Sequence, residues 1–240
     1  MGELIVKDKE IVVPGQELAV GMDYLPTGGA FRENDKIISC QLGLINISGR
    51  LIKVIPLKGK YIPKKNDIVI GKIMNMSFSN WFIDIGCPSE AVLSFVNTNE
   101  YIDKGADLAQ YYSFGDVIAA KISKVTRSSV DLSMKDGPGL KKLVGGKIVN
   151  VAPSKVPRII GKQGSMITMI KEMLNCRMMV GQNGLVWMQG MPENELIATR
   201  AIRMIEDNAH LEGLTDKIKE FIENENKKLG VKNVQEKIWW

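Results

Sequence analysis

The spacing of apolar residues changes once along this chain, and that change limits the fold more than any other feature. Up to Met134, apolar and polar residues alternate in short runs separated by turn residues; beyond Gly137-Pro138-Gly139 the apolar residues fall three and four apart. A period of two marks strands with one buried face, and a period near 3.6 marks amphipathic helices. A chain of 240 residues that does first one and then the other reads as several small modules, each with a modest core.

Residues 1–60 read as a β-rich module. Ile11-Val12-Val13 runs into Pro14-Gly15, Gly28-Gly29 is a turn, and Lys36 to Cys40 is a strand. Gly43-Leu44-Ile45-Asn46-Ile47 and Leu51-Ile52-Lys53-Val54-Ile55 flank the turn Ser48-Gly49-Arg50. A docking domain and a structural cap both fit this pattern. A second β module spans residues 63–136. Its strands are Ile68 to Ile73, Trp81 to Gly86, Ala91 to Leu93, Asp116 to Ile122 and Val130 to Met134. Five short strands at this spacing predict a small closed barrel.

The third module, residues 141–212, reads as strand, helix, hairpin and long helix. Gly146 to Val151 is the strand and Ile167 to Leu174 the helix. Arg177 to Val180 and Leu185 to Met188 form a hairpin around Gly181-Gln182-Asn183-Gly184, where Asn-Gly fits a tight turn with positive φ. Pro192 opens a helix that places Ile197, Ala201, Met204, Ile205 and Ala209 on one face. Residues 213–240 are amphipathic at first and highly charged later, as expected of a helix fraying into a tail that ends in Trp239-Trp240.

Charge is unevenly distributed. Between Lys141 and Arg177 stand Lys141, Lys142, Lys147, Lys155, Arg158, Lys162, Lys171 and Arg177, against Glu172 alone. This stretch carries more positive charge than the whole chain, whose net is +5. It is either a solvated basic face or a surface for phosphates. The sharpest motif lies at its centre. Ile159-Ile160-Gly161-Lys162-Gln163-Gly164 precedes a helix. Two glycines three apart let backbone approach a ligand closely, and a helix start presents N–H groups and partial positive charge. With Arg158 and Lys162 beside it and Gln163 within it, this is a clamp for a phosphate backbone, not a reader of bases. The Gly-Lys-Ser/Thr ending of a nucleoside-triphosphate loop is missing, which excludes that reading.

The flanking Ile-Ile, the internal Lys and the following helix resemble a KH domain of type I, whose loop clamps about four nucleotides of single-stranded nucleic acid. The middle module resembles an S1-type RNA-binding barrel of the OB class, through Val69-Ile70-Gly71-Lys72-Ile73, Trp81 to Gly86, Gly115-Asp116-Val117 and Val130 to Lys135. That resemblance puts Phe82 in the base-stacking position, with Lys121, Arg127 and Lys135 as phosphate contacts. Trp81 and Phe82 as plain core packing is the competing reading, and Ser94 stands about where many such barrels carry His.

Leu42-Gly43-Leu44-Ile45, Val54-Ile55-Pro56-Leu57 and Gly59-Lys60-Tyr61-Ile62-Pro63 extend the likeness to nearly the whole chain. An N-terminal β domain, an S1 barrel and a KH domain in this order resemble the RNA-binding cap subunit of the exosome, the family of ribosomal-RNA-processing protein four, with the intact Gly161–Gly164 loop closer to archaeal members. The resemblance implies a multidomain, mainly β protein with an α+β KH domain and a C-terminal helix. It implies that Gly181, Asn183 and Gly184 lock the KH domain to the barrel. It also implies a homotrimeric cap, its positions shared in some assemblies with a related subunit, docked through residues 1–60 on a hexameric ring of RNase PH-like subunits. Such a cap captures adenosine-rich single-stranded RNA and feeds it to 3′-to-5′ degradation.

Independent catalysis finds little support. The single histidine, His210, sits near the end of a predicted helix, and neither a metal-ligand spacing nor a Ser–His–Asp set is legible. No metal or cofactor is expected. Cys40, Cys87 and Cys176 lie far apart, as in a reducing compartment. With no membrane-length apolar run and no signal peptide legible, a cytoplasmic protein is expected. A ribosome- or translation-associated S1/KH factor is the alternative reading.

Overall fold

The computed structural model describes residues 2–57, 59–103, 105–126, 128–135, 137, 139–209 and 213–228. Arg127, Pro138, His210 and the terminal Trp239-Trp240 therefore lie outside the described residues. The chain divides into two compact units, Met1–Gly59 and Lys60–Trp240.

The first unit is built from β1 (Glu3–Leu4), β2 (Ile11–Val12), β3 (Glu17–Val20), β4 (Leu25–Thr27), β5 (Ala30–Glu33), β6 (Lys36–Ser39), β7 (Gly43–Ser48) and β8 (Leu51–Pro56). They form two four-stranded sheets, ordered β1-β3-β6-β5 and β2-β7-β8-β4. Alternation decides what is buried: along β8, Ile52 and Val54 are inside while Leu51, Lys53 and Ile55 are outside. Gly49, at a φ of 60°, is the first residue of the two-residue turn joining Ser48 to Leu51, the position that a turn matching strand twist reserves for glycine. Val12, Leu18, Ile37, Ile45, Ile52 and Val54 make the core.

The second unit begins with a barrel of β9 (Ile68–Met76), β10 (Asn80–Asp84), β11 (Glu90–Ser94), β12 (Val117–Val125) and β13 (Ser129–Ser133). The pairing runs β9-β10-β11-β13-β12 and back to β9, so the sheet closes. Only β11 and β13 run parallel within this ring. This is the five-stranded, S1-type OB topology. Trp81 is fully buried at its centre; its indole N–H donates to the Tyr112 carbonyl at 3.1 Å, and its ring meets Tyr112 edge-on, centroids 5.1 Å apart. Burying a side chain of this size contributes at most about 4 to 6 kcal/mol. Trp81 is thus core, and of the two aromatics only Phe82 faces outward.

A short strand, β14 (Lys142–Leu143), adds to β12. Then follow β15 (Lys147–Asn150), α1 (Val156–Ile160), α2 (Ser165–Leu174), β16 (Arg177–Val180), β17 (Leu185–Gln189), α3 (Pro192–Asp207) and α4 (Leu214–Lys228). The antiparallel sheet β15-β17-β16, with the order βααββα, is a type I KH domain, and α4 is the expected C-terminal helix. Val149, Val186 and Met188 of the sheet pack against Ile159, Ile170, Ile197, Ala201 and Ile205 of the helices. The sequence pattern assigns no element to the residues directly before the Gly161–Gly164 loop; the structure has helix α1 there. Pro157 sits in its first turn, where a missing N–H costs nothing, and five residues are too few to show a helical period. No helix among the described residues is long and apolar enough to cross a membrane.

Candidate nucleic-acid interface

Helix α1 buries Val156 and Ile159, which leaves Arg158 exposed. The chain then turns at Gly161, φ 77° and ψ 178°. A Cβ at Gly161 would stand 2.8 Å from both the Cβ and the backbone N of Met166, so this glycine makes room for the start of α2. Gln163 and Gly164 both take positive φ, 51° and 82°. A Cβ on Gly164 would meet nothing within 4 Å, so its backbone is open to an approaching group. The Gly161 N–H donates to the Pro157 carbonyl (3.0 Å) and the Gly164 N–H to the Gly161 carbonyl (3.3 Å), and Lys162 and Gln163 point into solvent. No side chain caps α2 and no acid stands in its first turn. The Ser165 N–H donates to the Lys162 carbonyl, so what stays uncompensated at the start of α2 is the partial positive charge of the helix, which suits an anion. Gly161, Lys162, Gln163 and Gly164 thus form one small loop between two helices, with Arg158 exposed on the last turn of α1 before it.

The barrel residues are more dispersed. Phe82 is half-buried on the outer face of β10, paired with Asn75 of β9 and Val92 of β11. Asp131 and then Lys124 continue that row across β13 and β12. Lys121 lies in a different row, between Ile68 and Ser133. Lys135 is exposed just past β13, and its N–H donates to the Ser133 hydroxyl at 3.3 Å. The sequence reading overlooked two residues on this surface. Lys124 falls in the Phe82 row because the β12–β13 register shifts between Ile122 and Lys124, which strict alternation cannot anticipate. Phe78, fully exposed on the turn between β9 and β10, could have been noticed as an aromatic set between two serines.

The barrel and the KH domain meet at Gly181–Gly184. Asn183 is buried; its carboxamide oxygen accepts from the Ile70 N–H (3.2 Å), and its NH2 donates to the carbonyls of Ile70 (2.7 Å) and Ile85 (3.0 Å). The Gln182 N–H donates to the Ile68 carbonyl at 2.7 Å. A Cβ on Gly181 would lie 2.9 Å from the Ile70 nitrogen, and one on Gly184 would lie 2.2 Å from the Val151 carbonyl oxygen. The turn spans four residues, closed by the Gly184 N–H on the Gly181 carbonyl, and of the Asn-Gly pair only Gly184 has positive φ. Ile70, Ala119, Leu143 and Trp187 form an apolar cluster beside it.

Among the described residues no three of His, Cys, Asp and Glu gather as a metal site would require. Burial pushes the Cys176 thiol up to about 11, with Glu195 adding to it, and burial also raises Cys87.

A closed OB barrel fastened to a type I KH domain places the molecule among the S1–KH proteins. Residues 9–58 match the family described as the exosome RNA binding protein RRP4 N-terminal domain, and residues 146–207 match the KH domain. The exosome complex component Rrp4 of Methanothermus fervidus is 48% identical over 221 residues, covering 91% of this chain and 97% of that protein. The Rrp4 of Pyrococcus abyssi is 43% identical over 243 residues, 99% of this chain and 91% of its own. A crystal structure of a protein assigned to the exosome complex RNA-binding proteins superposes with a TM-score of 0.63 at 35% identity, covering 71% of this chain and 99% of that one. The chain belongs to the Rrp4 family.

Proposed function

We propose that this protein is a non-catalytic RNA-binding component of an exosome, which captures single-stranded RNA and delivers it for 3′-to-5′ degradation. The Gly161–Gly164 loop carries the reading. Its backbone is open at Gly164, Arg158 and Lys162 stand beside it, and the following helix starts with neither a cap nor an acid. That combination suits a phosphate backbone. In this reading Phe82 stacks a base, and Lys121, Arg127 and Lys135 touch phosphates. The names of the relatives support the exosome assignment. The unit Met1–Gly59 is the docking domain for a ring of RNase PH-like subunits, three copies form the cap, and adenosine-rich RNA is the preferred cargo. The assembly works in the cytoplasm.

The test is a titration of fluorescent adenosine-rich RNA at two salt concentrations. The informative variant is Lys162→Asp with Gln163→Asp, which reverses charge at one exposed position, adds an acid at the next and leaves both glycines in place; Asp tolerates the positive φ of Gln163. Affinity falls about tenfold or more, and the dependence of log affinity on log salt flattens by about 0.7 for each phosphate the loop no longer holds. Unchanged binding by the folded variant would remove the loop from the RNA path.

A further inference from the structure

The basic stretch that is continuous in sequence divides in space. Arg158 and Lys162 belong to the loop, whereas Lys141, Lys142, Lys171 and Arg177 surround a cavity of about 600 Å³ between β14 and the edge of the KH sheet. Leu143, Met179 and Trp187 supply apolar wall. Two bonds hold the chain after β14 over the sheet: the Trp187 indole N–H donates to the Gly145 carbonyl (2.8 Å) and the Gln189 NH2 to the Val144 carbonyl (3.1 Å). Among the described residues no acid lines the cavity. Lys142 is held by Asp116 at 2.5 Å, while Lys141, Lys171 and Arg177 form no ion pair among the described residues.

A site of this size accommodates a small organic group. Its composition selects among ligands. A bare inorganic anion would satisfy the cations and leave the apolar wall facing water; an apolar group would do the reverse. A nucleotide has a flat apolar base and a phosphate, and matches both. Its position completes the argument. Lys171 follows Gly164 by seven residues, two turns along α2, so the two lie on one side of the helix about 10 Å apart. We propose that this cavity is a second RNA site, which seats one nucleotide of the strand whose neighbouring nucleotides are gripped by the Gly161–Gly164 loop. The inference rests on the RNA-binding reading above and extends its footprint.

The experiment uses the full chain and two single-stranded RNAs, one of about four nucleotides, the length a KH loop clamps, and one of about ten. Lys171→Gln with Arg177→Gln removes two cations and leaves the Lys142–Asp116 pair intact. The longer RNA is expected to bind this variant about tenfold more weakly, with a salt dependence flatter by about 1.4 if both cations meet phosphate, while the shorter RNA binds as it does to the parent. A 4-thiouridine placed beyond the loop-bound nucleotides in the longer RNA is expected to photocrosslink the parent protein within Met178–Trp187. Equal loss for both RNAs, or no loss for either while Lys162→Asp with Gln163→Asp still weakens both, overturns the cavity and leaves the loop reading standing. Crosslinks confined to the loop overturn it as well. A parent protein that binds neither RNA defeats both readings together.

Discussion

The carboxamide of Asn183 touches strand β9 and the residue that follows β10, and satisfies three backbone groups of the barrel. Its chemistry is specific: one acceptor and two donors, in a place that water does not reach. Asn183→Ala leaves an N–H and two carbonyls without partners and is expected to cost about 2 to 4 kcal/mol. Asn183→Asp keeps the shape but loses both donors and brings a charge into the interior, so it should be at least as damaging. Urea midpoints at constant m measure both. An Asp variant as stable as the parent would refute the assignment of donors and acceptor. The two glycines of the loop also differ at this scale. Gly161 is required for room beside Met166, Gly164 for its left-handed backbone and its openness. Aspartate at Gly161 therefore disturbs packing before it tests RNA binding, which is why the exposed pair between the glycines makes the cleaner variant.

Among the elements, the barrel and the KH domain each bury groups that ionise only in alkali. Burial, then Glu100, pushes the Tyr112 hydroxyl up to about 12, and Cys176 stands at about 11. Tyr61 is raised by burial and by its bond to Asp67 at 2.6 Å. Because the folded values are raised, the unfolded chain loses these protons first. Their contribution is complete below the unfolded values, near 9.0 for the thiol and 10.0 for the phenol, and is lost as pH climbs through 11 and 12. The urea midpoint should therefore fall steadily above about pH 9, and a flat profile up to pH 12 would show that these groups are not shielded. The barrel strands could be read from alternation because each has a buried face: Trp81, Ile83 and Ile85 point inward in the order the pattern implies. Helix α1 and strand β14 escaped, being five and two residues long, shorter than the period needed to recognise them. Strands β1, β4 and β5 escaped because none of their residues is fully buried, and β3 because a register shift buries the neighbours Leu18 and Ala19 together. The Gly-x-x-Gly loop was legible because backbone conformation demands those residues locally. The cavity was not, because Lys141 and Lys171 meet only through the fold. Asn183 suggested a turn residue, yet its backbone has no positive φ; the barrel, not the turn, selects the side chain.

Over the whole molecule, the division at Gly59–Lys60 separates a unit with its own core, Val12, Leu18, Ile45 and Ile52 among it, from the barrel and KH domain. Deleting residues 1–58 is therefore expected to leave a folded protein that binds single-stranded RNA about as tightly as the parent, while association with a ring of RNase PH-like subunits is lost. Sedimentation with the purified ring and an RNA titration of the same preparation check the two halves. Ring association by the shortened protein would defeat the docking assignment.

The barrel–KH junction bears on what can be transplanted. Trp187, Met179 and Leu185 lie over Ile70 and Ala119, and Asn183 is inserted between barrel strands. A graft of the KH domain alone onto another carrier would arrive with this surface uncovered and its own turn deprived of partners, and would tend to self-associate. The natural cassette is the pair. Residues 60–228 bring the loop, the cavity and the chain held over the sheet after β14 as one part, and a substitution in β9 is felt by two domains at once.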